Sequence, residues 1–233
     1  LRIGRSEFQR IAEHPERGIT EIARPVGVIA AAVPSTNPAA TPANNIINAI
    51  KCGNAIILAP SPKGHSTATL LLKYVHAELR RIGAPVDLVQ QLPAPVTREL
   101  TNELMRQADL VVVTGSQNNV RAGYSSGKPG PGGGTGDGAV IVDETPDCPD
   151  AARKIMASKI FDNATSCSSE NAVIVHDRVY DRMVAGLAKE GGALLTAGEK
   201  ATLQKSMFPG GKLSPAVTAQ PVSKVCAVAG LAR

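Results

Sequence analysis

Large aromatic side chains are scarce in this sequence, which has no tryptophan and only three tyrosines and three phenylalanines in 233 residues. Proteins that bind single-stranded nucleic acid stack the bases on aromatic rings beside clustered cations. Here the 25 lysines and arginines are scattered, so the net charge of +5 does not indicate a nucleic-acid surface. We expect a core built from alanine, valine, isoleucine and leucine instead.

Cysteine is also sparse, and its spacing excludes several kinds of site. Cys52, Cys148, Cys167 and Cys226 lie far apart with no CxxC pair, which argues against a zinc site and a disulfide framework. The four histidines have no metal-ligand spacing either, so no metal is expected. No apolar run is long enough to span a membrane, and the free thiols favour a reducing, cytoplasmic setting.

The chain is long enough to bury a full core, as one large domain or two smaller ones. It begins at Leu1 rather than methionine and ends at Arg233 directly after an apolar, helix-like run. We therefore expect it to be a fragment of a longer protein.

Strand-like and helix-like segments alternate at short spacing along the chain. Strands are predicted at 18–23, 26–33, 54–59, 86–92, 109–114, 139–142 and 172–175. Helices are predicted at 39–50, 66–82, 96–107, 118–124, 147–160, 179–189 and 197–205, with short strand-like pieces after the last. The helical spacing turns Leu70, Leu71, Val75 and Leu79, and then Leu100 and Leu104, inward. This alternation predicts an α/β fold, a parallel sheet flanked by helices.

Three turns follow predicted strands, at 34–38, 60–64 and 114–116, and should gather at one edge of the sheet, where such folds bind ligands. Asn37 in the first turn is either an ordinary turn asparagine or an amide donor to a developing oxyanion. The third turn is either a plain strand-to-helix joint or a phosphate site at a helix start.

A glycine-rich segment at 125–138 precedes a strand. It lacks the Gly-Lys-Ser/Thr of a Walker loop, and it does not open a helix as a Rossmann fingerprint does. It is either a flexible connection or a place where the backbone approaches a ligand closely.

Cys167 lies in a run of small polar residues between a predicted helix and a predicted strand. A structural cysteine is typically an inert, buried thiol with apolar neighbours. A polar loop suits a thiol that is presented to a cleft as a nucleophile, and the sequence alone leaves both readings open.

Over residues 18–232, the order and spacing of several short motifs resemble the CoA-acylating branch of the aldehyde dehydrogenase superfamily. They are Arg-Pro-Val-Gly-Val-Ile (24–29), Pro-Ser-Thr-Asn-Pro (34–38), Asn-Ala-Ile-Ile (54–57), Ser-Pro (61–62), Gly-Ala-Pro (83–85), Ala-Gly-Tyr-Ser-Ser-Gly (122–127) and the stretch 161–170 around the cysteine. The resemblance implies an aldehyde-dehydrogenase-like fold. Its Rossmann-type NAD(P)-binding domain would occupy 1–142, and the beginning of a second α/β catalytic domain 143–233.

The resemblance also implies a two-step thiol mechanism. Cys167 would attack the aldehyde carbonyl, and Asn37 and the Cys167 backbone N–H would stabilise the resulting oxyanion. Hydride would pass to the nicotinamide, and the thiol of coenzyme A would then take the acyl group from the cysteine. By the same matching, the NAD(P) cleft would be lined by Thr36, Ser61, Pro62, Gly115, Ser116, Gly134 and Gly136.

Hydrolytic members of the superfamily carry a glutamate, in a Glu-Leu-Gly-Gly motif, that activates water. The corresponding stretch here, 132–136, holds no carboxylate, which implies acyl transfer to CoA. Gly133, Thr135 and Asp137 replace the valine, alanine and asparagine of the branch's usual Gly-Val-Gly-Ala-Gly-Asn.

The segments 92–96 and 163–171 look most like sulfoacetaldehyde-type enzymes, with acetaldehyde, butanal and succinate-semialdehyde enzymes as near relatives. The implied partners are a small aldehyde and CoA, without nucleic acid or membrane, and the parent protein would be a homo-oligomer. The alternatives are a non-acylating aldehyde dehydrogenase and an inactive nucleotide-binding fragment.

Overall fold

The structure is a computed structural model that describes residues 10–134, 136, 138–145, 147–214 and 216–232. Thr135 and Asp137, two of the departures from the family motif, lie outside the described residues. The chain divides into two compact units, Leu1–Thr135 and Gly136–Arg233. No helix among the described residues is both long and apolar enough to cross a membrane.

The first unit contains a five-stranded parallel sheet in the order β5-β4-β3-β6-β7, preceded by the antiparallel pair β1–β2. The strands are β1 (Arg10–His14), β2 (Ile19–Ile22), β3 (Val28–Val33), β4 (Ala55–Pro60), β5 (Val89–Gln91), β6 (Leu110–Thr114) and β7 (Gly132–Gly133). The helices are α1 (Ala40–Lys51), α2 (His65–Arg81), α3 (Arg98–Gln107) and α4 (Gln117–Tyr124). The predicted parallel α/β architecture is confirmed.

The central strand β3 is covered on both faces, as its nearly continuous apolar sequence predicts. Because successive side chains point to opposite faces, Ile29, Ala31 and Val33 join one buried cluster and Ala30 and Ala32 join another.

The amino end of β3 is held by two polar side chains. Asn54 Oδ1 accepts hydrogen bonds from the N–H groups of Val26 (2.7 Å) and Gly27 (3.1 Å). Asp109 Oδ2 accepts from the N–H of Val28 at 2.8 Å. These two residues directly precede β4 and β6, so each strand that flanks β3 also fixes its start.

The prediction that three turns gather at one edge is confirmed. Val33 pairs with Pro60, and Ala32 pairs with Val113, so the carboxyl ends of β3, β4 and β6 lie side by side. The turns that follow are in contact range, because a Cβ added at Gly64 would lie 2.8 Å from Cβ of Pro38.

Several details differ from the sequence predictions. Leu70 and Leu100 face solvent, with 53% and 43% of their surface exposed, because the inward faces of α2 and α3 are centred on other residues. Leu79 is buried on α2 as predicted, and Met105, which was not predicted, is buried on α3. Residues 86–88 form a 3-10 turn, and only Val89–Gln91 are strand.

The glycine-rich segment is not wholly a loop. Gly132–Gly133 forms the short strand β7 against β6, and Val113 N–H donates to the Pro131 carbonyl at 3.1 Å. A Cβ added at Gly130 would lie 1.7 Å from the Val111 carbonyl oxygen, so the segment can approach β6 only because it has no side chain there.

The second unit contains the parallel pair β8 (Gly138–Val142) and β9 (Glu170–Val175). Its helices are α5 (Cys148–Ile160), α6 (Tyr180–Lys189), α7 (Ala197–Met207) and α8 (Val222–Ala229). Cys148, Ala152, Ile155, Val179 and Met183 form the buried cluster with Val142. The strand-like pieces predicted after α7 are wrong. Val222–Ala229 instead form α8, which Pro221 directly precedes and Gly230 ends in a left-handed conformation.

Candidate active site

Cys167 lies in the loop between α5 and β9, and it is exposed. The loop is held by local polar contacts: Ser166 and Ser168 join their hydroxyl oxygens at 2.9 Å, and Ser169 N–H donates to the Ser166 carbonyl at 3.1 Å. The thiol is therefore accessible on a turn with its own hydrogen bonds, as a nucleophile requires.

The segment before the cysteine adopts an uncommon backbone conformation. Asp162, Asn163 and Ala164 have φ values of 50°, 52° and 57°. Aspartate and asparagine tolerate the left-handed region, whereas alanine is disfavoured there because its Cβ approaches the following carbonyl. Thr165 closes this turn by donating its N–H to the Asp162 carbonyl at 3.0 Å. Such strain is concentrated at functional sites in known proteins.

Gly136, one of the residues predicted to line the cofactor cleft, packs directly against the cysteine. A Cβ built on Gly136 would lie 1.7 Å from the carbonyl oxygen of Cys167 and 3.2 Å from its Cα. Only glycine fits at this distance, so the end of the glycine-rich segment packs tightly against the cysteine loop.

Glu170 follows the cysteine loop at the start of β9. A hydrogen bond from its own backbone N–H and another from Ser158 on α5 lower the pKa of Glu170, and Lys159 adds a smaller effect in the same direction. The carboxylate is thus favoured and ties the end of the loop to α5. Glu170 Oε2 and the hydroxyl of Ser169 are shielded from solvent, and neither has a hydrogen bond within the described residues.

In the first unit, three predicted site residues accept hydrogen bonds in the strand-end turns: Ser61 and Ser116 are the N-caps of the helical elements that follow, and Asn37 bonds the turn that leads into α1. Asn37 Oδ1 accepts from the N–H of Ala40 at 3.1 Å. Ser61 and Ser116 accept with their hydroxyls from the N–H groups three residues ahead, both at 3.3 Å. The turn role considered for Asn37 is therefore present. In the described parts of the chain its Nδ2 group has no recorded partner, so it remains available as a donor.

The other predicted cofactor residues lie at this same edge or close to the start of α4. Thr36, Pro62 and Ser116 are exposed, and Gly115 has a φ of 148°, which favours glycine. A Cβ added at Gly134 would lie 2.6 Å from Gln117 Oε1, in the first turn of α4. The first unit thus places Thr36, Asn37, Ser61, Pro62, Gly115, Ser116 and Gly134 near the carboxyl ends of its strands.

A cavity of about 320 Å³ opens beside the turn after β4. It is lined by Pro62, His65, Ser66, Ala94, Pro95 and Val96. His65 is fixed by a contact of 3.2 Å between its Nε2 and the Leu92 carbonyl oxygen. Of these residues, Pro62 was predicted to line the cofactor cleft, and Ala94, Pro95 and Val96 belong to the segment 92–96 that resembles sulfoacetaldehyde-type enzymes.

His76 and Asp143 make structural contacts. His76 Nε2 contacts the Val89 carbonyl oxygen at 2.7 Å, which joins α2 to β5. Asp143 accepts from the N–H of Thr145 at 2.9 Å and from its hydroxyl, and these bonds lower the pKa of Asp143. Across the described ranges, no group of three or more His, Cys, Asp or Glu side chains could hold a metal ion.

A sequence profile of the aldehyde dehydrogenase family matches residues 3–230. The chain belongs to the aldehyde dehydrogenase family. The resemblance inferred from its motifs is thereby confirmed.

Among the relatives, the sulfoacetaldehyde dehydrogenase (acylating) of Cupriavidus necator is 58% identical over 99% of this chain and 47% of its own length. An acetylating aldehyde dehydrogenase of Geobacillus thermoglucosidasius has a similar structure, with a TM-score of 0.88 and 32% identity over 96% of this chain and 50% of that one. A propionaldehyde dehydrogenase of Rhodopseudomonas palustris, solved with bound propionyl-CoA, has a TM-score of 0.81 and 29% identity over 91% and 48%. This member of the family thus spans about half the length of the relatives it matches.

Proposed function

We propose that this chain carries the catalytic cysteine and NAD(P)-binding residues of a CoA-acylating aldehyde dehydrogenase whose aldehyde is sulfoacetaldehyde. The observation that carries the proposal is the exposed Cys167, in a polar turn packed against Gly136. The identity of 58% with an acylating sulfoacetaldehyde dehydrogenase supports both the reaction class and the substrate.

The chain's own residues would perform the acyl chemistry. The sulfur of Cys167 forms a bond to the aldehyde carbon, and the carbonyl π electrons move onto the oxygen. The backbone N–H of Cys167 and Nδ2 of Asn37 are proposed to donate hydrogen bonds to that oxyanion. The hydrogen bond that Asn37 Oδ1 accepts from Ala40 fixes the plane of the amide. After oxidation, the acyl group remains on the sulfur as a thioester.

NAD(P) is the proposed electron acceptor, and the strand-end edge fits it. Thr36, Ser61, Pro62, Gly115, Ser116, Gly134 and Gly136 would hold it. The fit rests on the exposed Thr36, Pro62 and Ser116 at the strand ends and on the cavity of about 320 Å³ next to Pro62. When bound, the nicotinamide supplies the two-electron acceptor for the thiohemiacetal.

Acyl transfer to CoA completes the proposed reaction. The CoA thiolate attacks the thioester carbon, and the Cys167 thiolate leaves. The described residues of the 132–136 segment are all glycine, so none of them can activate water. A homo-oligomeric parent and a cytoplasmic setting, which the four free cysteines fit, are part of the same proposal.

The test is product analysis on the full-length protein with sulfoacetaldehyde, succinate semialdehyde and propionaldehyde, each with and without CoA. We expect acyl-CoA and NAD(P)H to form together, fastest with sulfoacetaldehyde, and to require CoA for turnover. Cys167→Ser should abolish both products, whereas Cys52→Ser, which changes another exposed cysteine, should leave the rates unchanged. Prompt release of free acid without CoA would indicate a hydrolytic enzyme. No turnover in the wild-type protein would favour the inactive nucleotide-binding alternative.

A further inference from the structure

Asn171 is the extra residue of a β-bulge directly after the cysteine loop. In the β8–β9 pair, Gly138 lies opposite Glu170 and Ala139 lies opposite Ala172, so Asn171 has no partner in the ladder. Bulges are rare between parallel strands, and in known proteins they often lie beside active sites, where they redirect a side chain. The bulge therefore frees the Asn171 side chain to contact other segments.

The side chain of Asn171 joins two other segments of the second unit. Its Nδ2 donates to the Gly136 carbonyl oxygen at 3.0 Å, and its Oδ1 accepts from Lys159 Nζ at 3.3 Å. The orientation of the amide follows from these partners, because an ammonium group can only donate and a carbonyl can only accept. Lys159 on α5 therefore sets which end of the amide faces Gly136.

Gly136 in turn packs against the backbone of Cys167. A Cβ at Gly136 would lie 1.7 Å from the Cys167 carbonyl oxygen, so the two backbones are in tight contact and neither can shift alone. Holding the Gly136 carbonyl thus restrains the backbone of Cys167. That backbone sets the direction of both its side chain and its N–H.

We infer that Asn171, diverted by the bulge, is a positioning residue that holds Gly136 against Cys167 and so fixes the orientation of the cysteine. The inference rests on the proposed function for its effect on turnover. The restraint itself is a property of the fold and can be measured without any substrate.

The decisive variant is Asn171→Asp in the full-length protein. It keeps the size and the acceptor for Lys159, but it removes the donor to Gly136 and turns a carboxylate toward a carbonyl oxygen. Amide hydrogen exchange, read at the level of peptides, should become about five-fold faster across 165–169, as expected for the loss of one hydrogen bond. Exchange across the strand segments 139–142 and 172–175 should stay unchanged.

Steady-state kinetics should distinguish a positioning role of Asn171 from a role in binding the aldehyde. In Asn171→Asp we expect kcat to fall about ten-fold and the KM for the aldehyde to change less than two-fold, since a displaced nucleophile slows the chemistry rather than the binding. Asn48→Asp makes the same charge change at an exposed position of α1 and should alter neither exchange nor kcat. Asn171→Ala should reproduce the exchange result without the added charge.

Unchanged exchange across 165–169 in both Asn171 variants would overturn the inference. Equal acceleration across the two strands would also overturn it, because it would indicate general loosening of the sheet. If the wild-type protein forms no acyl-CoA while the exchange difference persists, the proposed function fails and the role of Asn171 in holding the loop stands.

Discussion

Gly136 and Cys167 are packed so closely that a single added carbon on the glycine would lie 1.7 Å from the cysteine's carbonyl oxygen. The glycine-rich segment that precedes β8 therefore shapes the cysteine loop as well as being a candidate cofactor contact. This relationship makes the glycine sensitive to the smallest substitution.

Gly136→Ala should destabilise the protein by about 1–3 kcal/mol, because the added methyl group meets backbone that cannot rotate away. Gly198→Ala is the matched control within the same unit: nothing lies within 4 Å of its Cβ position, and it occupies the first turn of α7. That variant should be neutral or more stable by up to about 1 kcal/mol. Urea unfolding of both variants tests the contrast, and equal stabilities would contradict the close contact.

Ala164→Gly should stabilise the protein by about 1 kcal/mol, because glycine adopts a φ of 57° without the steric cost that alanine bears. The same substitution at Ala185, an exposed position inside α6, should destabilise by about 1 kcal/mol through the lower helix propensity of glycine. Opposite signs in thermal unfolding would confirm the left-handed turn. Destabilisation at both positions would count against it.

Asn37→Asp separates the two roles of this residue. Aspartate offers the same acceptor in a turn as asparagine does, so the hydrogen bond from Ala40 and the melting temperature should be retained. The Nδ2 donor is lost, and kcat should fall about 10²–10³-fold, the typical effect of removing one oxyanion donor. Asn37→Ala also removes the acceptor for the Ala40 N–H and should cost about 1 kcal/mol of stability. Full activity in the aspartate variant would leave Asn37 as a turn residue only.

Cysteine alkylation tests reactivity apart from accessibility. Cys167 and Cys52 are both exposed, whereas Cys148 is buried. With iodoacetamide we expect Cys167 to be modified first, Cys52 more slowly, and Cys148 last, since the thiolate and not exposure alone determines the rate. Peptide mass spectrometry over time gives each rate. Equal rates at Cys167 and Cys52 would show that the polar turn does not activate the thiol.

Stability should depend on pH through Glu170. Its pKa in the folded protein lies below the ordinary value of 4.5, so the folded state favours the carboxylate. The resulting stabilisation is present above about pH 4.5 and is lost as the pH falls through the folded pKa. Glu170→Gln should therefore be less stable than wild type at pH 7, with the difference shrinking toward pH 3. Glu190→Gln, an exposed control for net charge, should not show this convergence.

The sequence predicts the sheet well where local pattern and tertiary environment agree. The apolar runs of β3, β4 and β6 are continuous because both faces are buried, and the prolines and glycines after them mark the strand ends. Helical spacing predicts that Leu70 faces inward, but it is exposed, because the spacing defines a stripe of residues and not the width of that stripe. The packed neighbours Leu71 and Leu72 show that the stripe lies slightly to one side.

Other features depend on contacts that no local pattern encodes. Glycine has low strand propensity, yet Gly132–Gly133 pairs with β6 because the open edge of β6 offers hydrogen bonds. The bulge at Asn171 leaves no trace in the alternation of β9, and its partner Gly136 lies 35 positions away. Cys167 could be singled out from its polar neighbours, whereas the packing that restrains it could not.

The hydrogen bonds that Asn54 and Asp109 accept at the amino end of β3 have a consequence for binding. They tie the three central strands together at the end opposite the candidate cofactor edge. Any rearrangement of the turns around a ligand would therefore start from strands whose opposite ends are tied together by hydrogen bonds. The side chains that fix the strand starts and the turns of the candidate site occupy opposite ends of the same strands, so a substitution at one end need not disturb the other.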